Sequence, residues 1–392
     1  MTETSWLLEP RDPLVVRDGR PNSGRSESRV LGFPLPSTIA GGVRTRLGSG
    51  PRGFEMQDRI DELLGVSVRG PLLVDATDPS RLFVPAPTDA VIFVDSEAGA
   101  SVRAVTPSTM PEGVALDADL GDLLPLVLRD EASGPPAKFG KPSRQLAYWP
   151  WQDVEDWLSG AFARGVRASS AADLRELFPE ALGPLERESR VHVAIGATGT
   201  AVDGQLFETE GLRLHGKTPR GSDVELALRV EAGALEGRKL SEGIGPLGGE
   251  RRLVRWRSTD APLPTIPVWL RQAAREGTRA TLRVLLVTPA IFAGGFQPSD
   301  ASPLLRQREG LRPKLIAASV GQPLTVSGWS LRDRKPKPSR RAANAGSVYW
   351  VELEGDADAR EAWLEEVWMQ NVSCDEQDRR DGWGLAALGV AS

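Results

Sequence analysis

The sequence predicts an α+β fold of two domains in which short strands outnumber helices. Glycine and proline are frequent, 41 and 31 residues in a chain of 392. Average usage is roughly 7% and 5%, so turns interrupt this chain often. Apolar residues fall mostly into short runs of alternating character, the mark of half-buried strands. A few stretches instead repeat at three and four residues between capping signals, the mark of helices. The length allows each domain its own core.

Taken in order, Ser5–Leu8 is a first strand, and Leu14–Val16 carries extended chain on beyond Pro13. Arg17–Arg29 is polar, basic and glycine-containing, which reads as a loop. Pro34 and Pro36 precede Ser37, the expected N-cap of a helix in which Ile39, Val43 and Leu47 share one face and Gly48 marks the end. A second short helix follows over Met56–Leu64. From Val66 to Leu128, strand-like runs (Leu72–Val74, Leu82–Val84, Val91–Val94, Leu124–Leu128) alternate with turns. Glu131–Gln145 is loop-like, Trp151–Leu158 and Ala171–Phe178 are helical, and Pro179–Glu188 suits a domain junction.

The second half opens on a strand, Arg190–Ile195, turned through Thr198–Gly204 into a partner strand, Gln205–Leu214. Strand Asp223–Val230, a glycine-rich loop, helix Val268–Glu276 and strand Thr281–Val287 come next. Strand Ser347–Leu353 and helix Ala357–Met369 close the pattern. The expected domains are therefore residues 1–187, with an insertion around 52–187, and residues 188–392.

A net charge of −5 excludes a body coated in positive potential, so any nucleic-acid site must be a local basic track. The single cysteine, Cys374, excludes an intramolecular disulfide and a cysteine-based zinc cluster. No stretch approaches the roughly 20 apolar residues of a membrane span, and the N-terminus lacks the pattern of a signal peptide. A cytoplasmic protein is expected.

Several segments can meet phosphate. The first turn of the Ser37 helix offers Ser37 and Thr38 at the positive end of the helix dipole, with Gly41 and Arg44 on the polar face. Gly41 and Gly42 each cost on the order of 1 kcal/mol against alanine inside a helix. Either a ligand backbone passes close by, or the helix packs tightly on a sheet. Gly248-Gly249 precede Arg251 and Arg252, a combination suited to an anion-binding turn. Trp329–Arg341 reads WSLRDRKPKPSRR; its prolines keep it extended, Lys335, Lys337, Arg340 and Arg341 suit a phosphate backbone, and Trp329 suits base stacking. Arg17 and Arg20 add charge near the N-terminus.

Together these segments resemble the third-subunit family of the type III-B CRISPR (Cmr) effector complex, within the RAMP superfamily. The resemblance rests on Asp12-Pro13-Leu14 with Arg17-Asp18-Gly19-Arg20-Pro21, and on Pro34–Gly41 running into Arg44-Thr45. It continues through His192–Leu214, Gly243–Arg252, Thr288-Pro289-Ala290 with Gly295–Pro298, Gly328-Trp329 before Lys335–Pro338, and Ala345–Tyr349. Residues 52–188 carry little of it. The resemblance implies two ferredoxin-like, RNA-recognition-motif-like RAMP domains with inserted loops and short helices. It implies binding of the 5′ repeat handle of the CRISPR RNA, contact with the large polymerase-like subunit and the backbone RAMP subunits, and no cofactor. The RNA-binding set expected is Arg17, Arg20, Ser37, Thr38, Gly41, Arg44, Gly248, Gly249, Arg251, Arg252, Trp329, Lys335, Lys337, Arg340 and Arg341.

No catalytic role is expected. The chain has two histidines, His192 and His215, and carries no HExxH, P-loop or GxSxG pattern. Gly243–Gly248 spells GxGxxG but contains Pro246 and lacks a strand-to-helix setting. The alternatives are a histidine-dependent RAMP endoribonuclease that processes CRISPR RNA and a scaffold that touches only proteins.

Overall fold

The computed structural model describes residues 3–17, 30–95, 99–110, 113, 120–128, 142–161, 176–330, 332–333 and 335–391. The fold is mixed α/β, mostly strands with few helices. Arg20, and most of the predicted helix at Ala171–Phe178, lie outside the described residues.

Two antiparallel sheets organise the chain. The first runs Gly243–Pro246, Leu253–Thr259, Thr4–Pro10, Asp223–Ala232, Val68–Asp75, Leu82–Pro85 and Tyr148–Pro150, with His215–Lys217 also paired to Asp223–Ala232. The second runs Leu311–Ser319, Val348–Gly355, Arg279–Leu286 and Ala386–Val390. Numbered by chain order, Thr4–Pro10, Val68–Asp75, Asp223–Ala232 and Leu253–Thr259 lie side by side as fourth, first, third and second. The second sheet has the same order. Neighbouring strands are antiparallel throughout.

This corrects the expected division at residues 187 and 188. Thr4–Pro10 pairs on both edges with strands from the second half, Ser5 facing Glu231 and Thr259. The sheets separate between Thr259 and Arg279, not at the Pro179–Glu188 segment. Leu253–Thr259 is an edge-proximal strand whose alternate residues Val254 and Trp256 are buried. Charge on every second residue is what a strand with one wet face requires.

The two faces of the first sheet are both covered. Trp6, Leu8, Leu228 and Val230 join Ile39, Val43 and Leu47 of helix Pro36–Gly48 in one core. Leu7, Leu72, Val74 and Ala227 point the other way, into a core shared with the second sheet. Trp363 and Trp368 pack in that core as expected of large aromatic anchors. Trp383, near the end of the chain, is buried with Leu35, Ile291, Val326 and Ala342.

Between the second and third strands of the second sheet the chain makes a basic ribbon. Leu324–Val326 pairs with Arg340–Ala342, and Trp329–Ser330 with Lys335–Pro336. The predicted hairpin also forms, as Arg187–Ile195 with Ala201–Leu212, a two-stranded sheet of its own.

Candidate nucleic-acid interface

Helix Pro36–Gly48 begins two residues earlier than expected. Leu35 is the cap residue, with no side-chain hydrogen bond, and Pro36 holds the first helical position. Proline suits that place because its fixed φ is helical and no N–H is needed there. Ser37 is therefore a first-turn residue rather than the N-cap. Ser37, Gly41 and Thr45 recur at four-residue spacing on the face turned away from the sheet core, with Thr38 and Gly42 beside them.

This face is one wall of a cleft of about 940 Å³. The floor comes from Val15, Val16 and Arg17 and from the hairpin turn that joins Gly243–Pro246 to Leu253–Thr259, contributing Leu247, Gly248, Gly249 and Arg251. The opposite wall is the base of the ribbon, with Ser327, Gly328, Pro336, Lys337 and Ser339. The Lys337 N–H donates to Gly328 O at 2.7 Å, and the Ser327 hydroxyl to Lys337 O at 2.9 Å, which squares the ribbon at that point. The buried cluster of Leu35, Val326, Ala342 and Trp383 holds ribbon and helix together. Among the described residues Arg17, Arg251 and Lys337 are the cations of the lining, and no carboxylate belongs to it.

The two helix glycines differ in their surroundings. A Cβ on Gly42 would stand 2.6 Å from Leu247 Cδ1, so this glycine lets the helix pack on the turn. A Cβ on Gly41 would meet nothing within 4 Å. Gly41 has no packing reason among the described residues and faces the cleft. Gly248 has φ of 74°, and a Cβ there would meet Val15 O at 2.8 Å. Gly249 donates its N–H to Val15 O at 2.8 Å. These glycines thus seat the turn against the extended Val15 segment. Beyond them Glu250 and Arg251 have φ of 55° and 51°, a region uncommon for residues with side chains.

Of the expected residues, Arg17, Ser37, Thr38, Gly41, Gly248, Gly249, Arg251 and Lys337 meet at this cleft. Arg44 does not, and its expected phosphate role is corrected. It is buried, donating to Asp381 at 2.5 Å, to Val66 O at 2.8 Å and to Arg380 O at 3.1 Å. A guanidinium with that set of acceptors is a structural tie between helix and C-terminal segment. Arg340 is likewise engaged, forking onto both oxygens of Asp378 at 2.7 Å. Arg252 is mostly covered and lies 3.6 Å from Glu250. Lys335 and Arg341 are exposed on the ribbon outside the cleft lining. The ring of Trp329 lies outside the described residues. Thr45, Ser327, Gly328 and Ser339 were not among the expected site residues; for Thr45 the four-residue spacing from Gly41 was the available signal.

The histidines are separate and engaged. His192 Nε2 is 2.7 Å from Thr209 Oγ1, and its ring stacks on Phe207 with centroids 5.3 Å apart. His215 Nε2 lies 3.3 Å from Asp223. Among the described residues no group of three or more His, Cys, Asp or Glu is placed to hold a metal ion, and no helix is long and apolar enough to cross a membrane.

Comparison with known proteins gives the family. A chain of a type III-B Cmr-beta complex bound to cognate target RNA and AMPPnP is similar at 13% identity and TM-score 0.49, with 99% of each chain covered. A chain of the Cmr-beta complex bound to cognate target RNA is similar at 14% identity and TM-score 0.47, covering 88% of this chain and 86% of that one. A chain of the Csm3–Csm4 subcomplex of a type III-A interference complex is similar at 11% identity and TM-score 0.34, covering 90% and 94%. Among curated proteins none matches. The model of the family described as CRISPR-associated protein (Cas_Cmr3) matches residues 6–391, and the chain belongs to that family, whose members are subunits of the Cmr effector.

Proposed function

We propose that this chain is a non-catalytic RNA-binding subunit of a type III-B effector complex, acting in antiviral defence in the cytoplasm. Its cleft grips the 5′ repeat handle of the CRISPR RNA. The observation that carries the proposal is the makeup of the cleft. Among the described residues its lining carries Arg17, Arg251 and Lys337 and no Asp or Glu, with Glu250 outside the lining and paired to Arg17, on a chain of net charge −5. The open helix face at Gly41 adds room for a phosphate backbone beside the positive end of a helix.

We read each four-strand order as a ferredoxin-like, RNA-recognition-motif-like unit of the RAMP type. Helix Pro36–Gly48 follows the first strand of the first sheet, and helix Ala357–Val367 links the third and fourth strands of the second; both positions suit that fold. The large polymerase-like subunit and the backbone RAMP subunits are the proposed protein partners. The Arg187–Ile195 hairpin supports an assembly, since Val191 and Leu206 are 66% and 70% exposed there beside Ile195 and Phe207. The separate engagements of His192 and His215 support structural roles rather than a paired acid and base.

The test replaces Arg251 and Lys337 together by glutamine and measures handle binding across a salt series. Handle affinity is expected to fall, and the salt slope to flatten by roughly 0.7 for each phosphate that the variant no longer neutralises. Wild-type affinity and slope in the double variant would remove the cleft from the RNA path. Ultraviolet crosslinking of the assembled complex with no RNA adduct on this subunit would favour the protein-only scaffold.

A further inference from the structure

We infer that Glu250 is an internal competitor for phosphate that restrains binding at the cleft. The inference rests on the proposal that this cleft takes RNA. Glu250 lies in the turn from Leu247 to Arg252, which the Leu247 N–H closes by donating to Arg252 O at 2.8 Å. Its φ of 55° and the 51° of Arg251 are left-handed. Residues with side chains stay in that region only when surrounding bonds hold them there. The result is a division of charge at the rim. Arg251 lines the cleft, while the Glu250 carboxylate reaches the Arg17 guanidinium at 2.8 Å. Arg17 is itself a lining cation, so the protein supplies an anion to one of its own candidate phosphate ligands.

The carboxylate is not locked in place. Its second contact, to Arg252, is long at 3.6 Å, and the buried Arg252 Nε has no acceptor among the described residues. Both Glu250 and Arg17 are partly exposed, and ion pairs of that kind are weak. A carboxylate and a phosphodiester offer a guanidinium similar pairs of anionic oxygens. RNA that reaches Arg17 therefore displaces Glu250 and leaves a carboxylate beside the new anion. Exchange rather than simple pairing weakens phosphate contact there by roughly threefold to tenfold. It also shallows the salt dependence, because the freed carboxylate takes up a cation while the RNA releases one. Glu250 thus limits binding that depends on phosphate contacts alone.

The experiment uses the full chain and a single-stranded uridine 20-mer as probe. Glu250→Gln and Glu250→Gly both remove the charge, and glycine suits the left-handed turn, so a folding defect peculiar to one variant is recognised by the other. Both are expected to bind the probe roughly threefold to tenfold tighter, with a salt slope steeper by up to about 0.7. The gain should vanish when Arg17→Gln is added. Unchanged or weaker binding in the two Glu250 variants overturns the inference, as does a gain that survives Arg17→Gln. The Arg251→Gln/Lys337→Gln variant, measured alongside, separates the two ideas. If it loses RNA binding, the cleft reading stands whatever Glu250 does; if it binds as wild type does, the cleft reading itself fails.

Discussion

Replacing Gly41 by alanine should make the protein more stable and a poorer RNA binder. The stability gain follows from helix propensity. Gly41 is interior to helix Pro36–Gly48, where alanine is favoured by about 0.8–1.0 kcal/mol. Outside its own helix the new methyl group meets no atom of the described residues within 4 Å, so no overpacking among them offsets that gain. The weaker binding follows from the same open space. A methyl group standing in the cleft holds a phosphate off the helix face, and removing one charge-assisted hydrogen bond, about 1.5 kcal/mol, weakens binding about tenfold. Gly42→Ala is the control, because its Cβ would stand 2.6 Å from Leu247 Cδ1 and overpacking of about 1–3 kcal/mol exceeds the propensity gain. Urea unfolding followed by tryptophan fluorescence reports stability, and fluorescence anisotropy of a labelled handle RNA reports affinity. A Gly41→Ala protein that gains stability yet binds handle RNA with wild-type affinity would refute the argument that RNA passes this face.

Two further outcomes follow from groups outside the cleft. Arg44→Ala leaves Asp381 buried without its cation and should destabilise by roughly 3–5 kcal/mol in urea unfolding; a destabilisation below about 1 kcal/mol, the scale of an exposed pair, means the pair does not tie the helix to the C-terminal segment. Burial pushes the Asp153 carboxyl up to about 6, with Asp156 and Glu180 adding to the shift. The folded chain then holds this proton more tightly than the unfolded one, so stability falls as pH rises from about 4 to about 6. Asp153→Asn should remove that slope and stabilise at neutral pH by no more than about 1 kcal/mol, given partial solvent screening. Superimposable stability profiles of the two proteins across this range would show that the carboxyl is unperturbed.

Local features of the fold were legible in the sequence and distant pairings were not. The hairpin Arg187–Ile195 with Ala201–Leu212 forms where alternating residues flank a glycine turn, and helices Trp151–Leu158 and Val268–Arg275 fall where apolar spacing put them. Pairing of Thr4–Pro10 with Asp223–Ala232 spans more than two hundred residues, and nothing in either segment names the other. That pairing is why a boundary drawn from a Pro-containing junction fell inside a sheet. The lining of the cleft was partly legible as residue types, since glycines, hydroxyls and cations named from the sequence lie together there. Arg44 shows the limit of such reading. It follows Val43 on a helix and looks like a polar-face cation, but its carboxylate partner Asp381 comes from the far end of the chain. Arg340, although exposed, likewise has a partner from the end of the chain, Asp378. Gly41 and Gly42 are adjacent letters with different surroundings, since Leu247 and Trp256 stand beside Gly42 and not beside Gly41.

The jaws of the cleft belong to different sheets. One is helix Pro36–Gly48, lying on the first; the other is the ribbon, which branches from the second. Behind them the joint is made by the last stretch of chain, where Trp383 wedges between Leu35 and Val326 and Asp381 bolts Arg44. The gauge of the groove is therefore set by a segment that never enters it. The cations of the lining thus stand on two separate sheets and owe their spacing to residues of a third part of the chain.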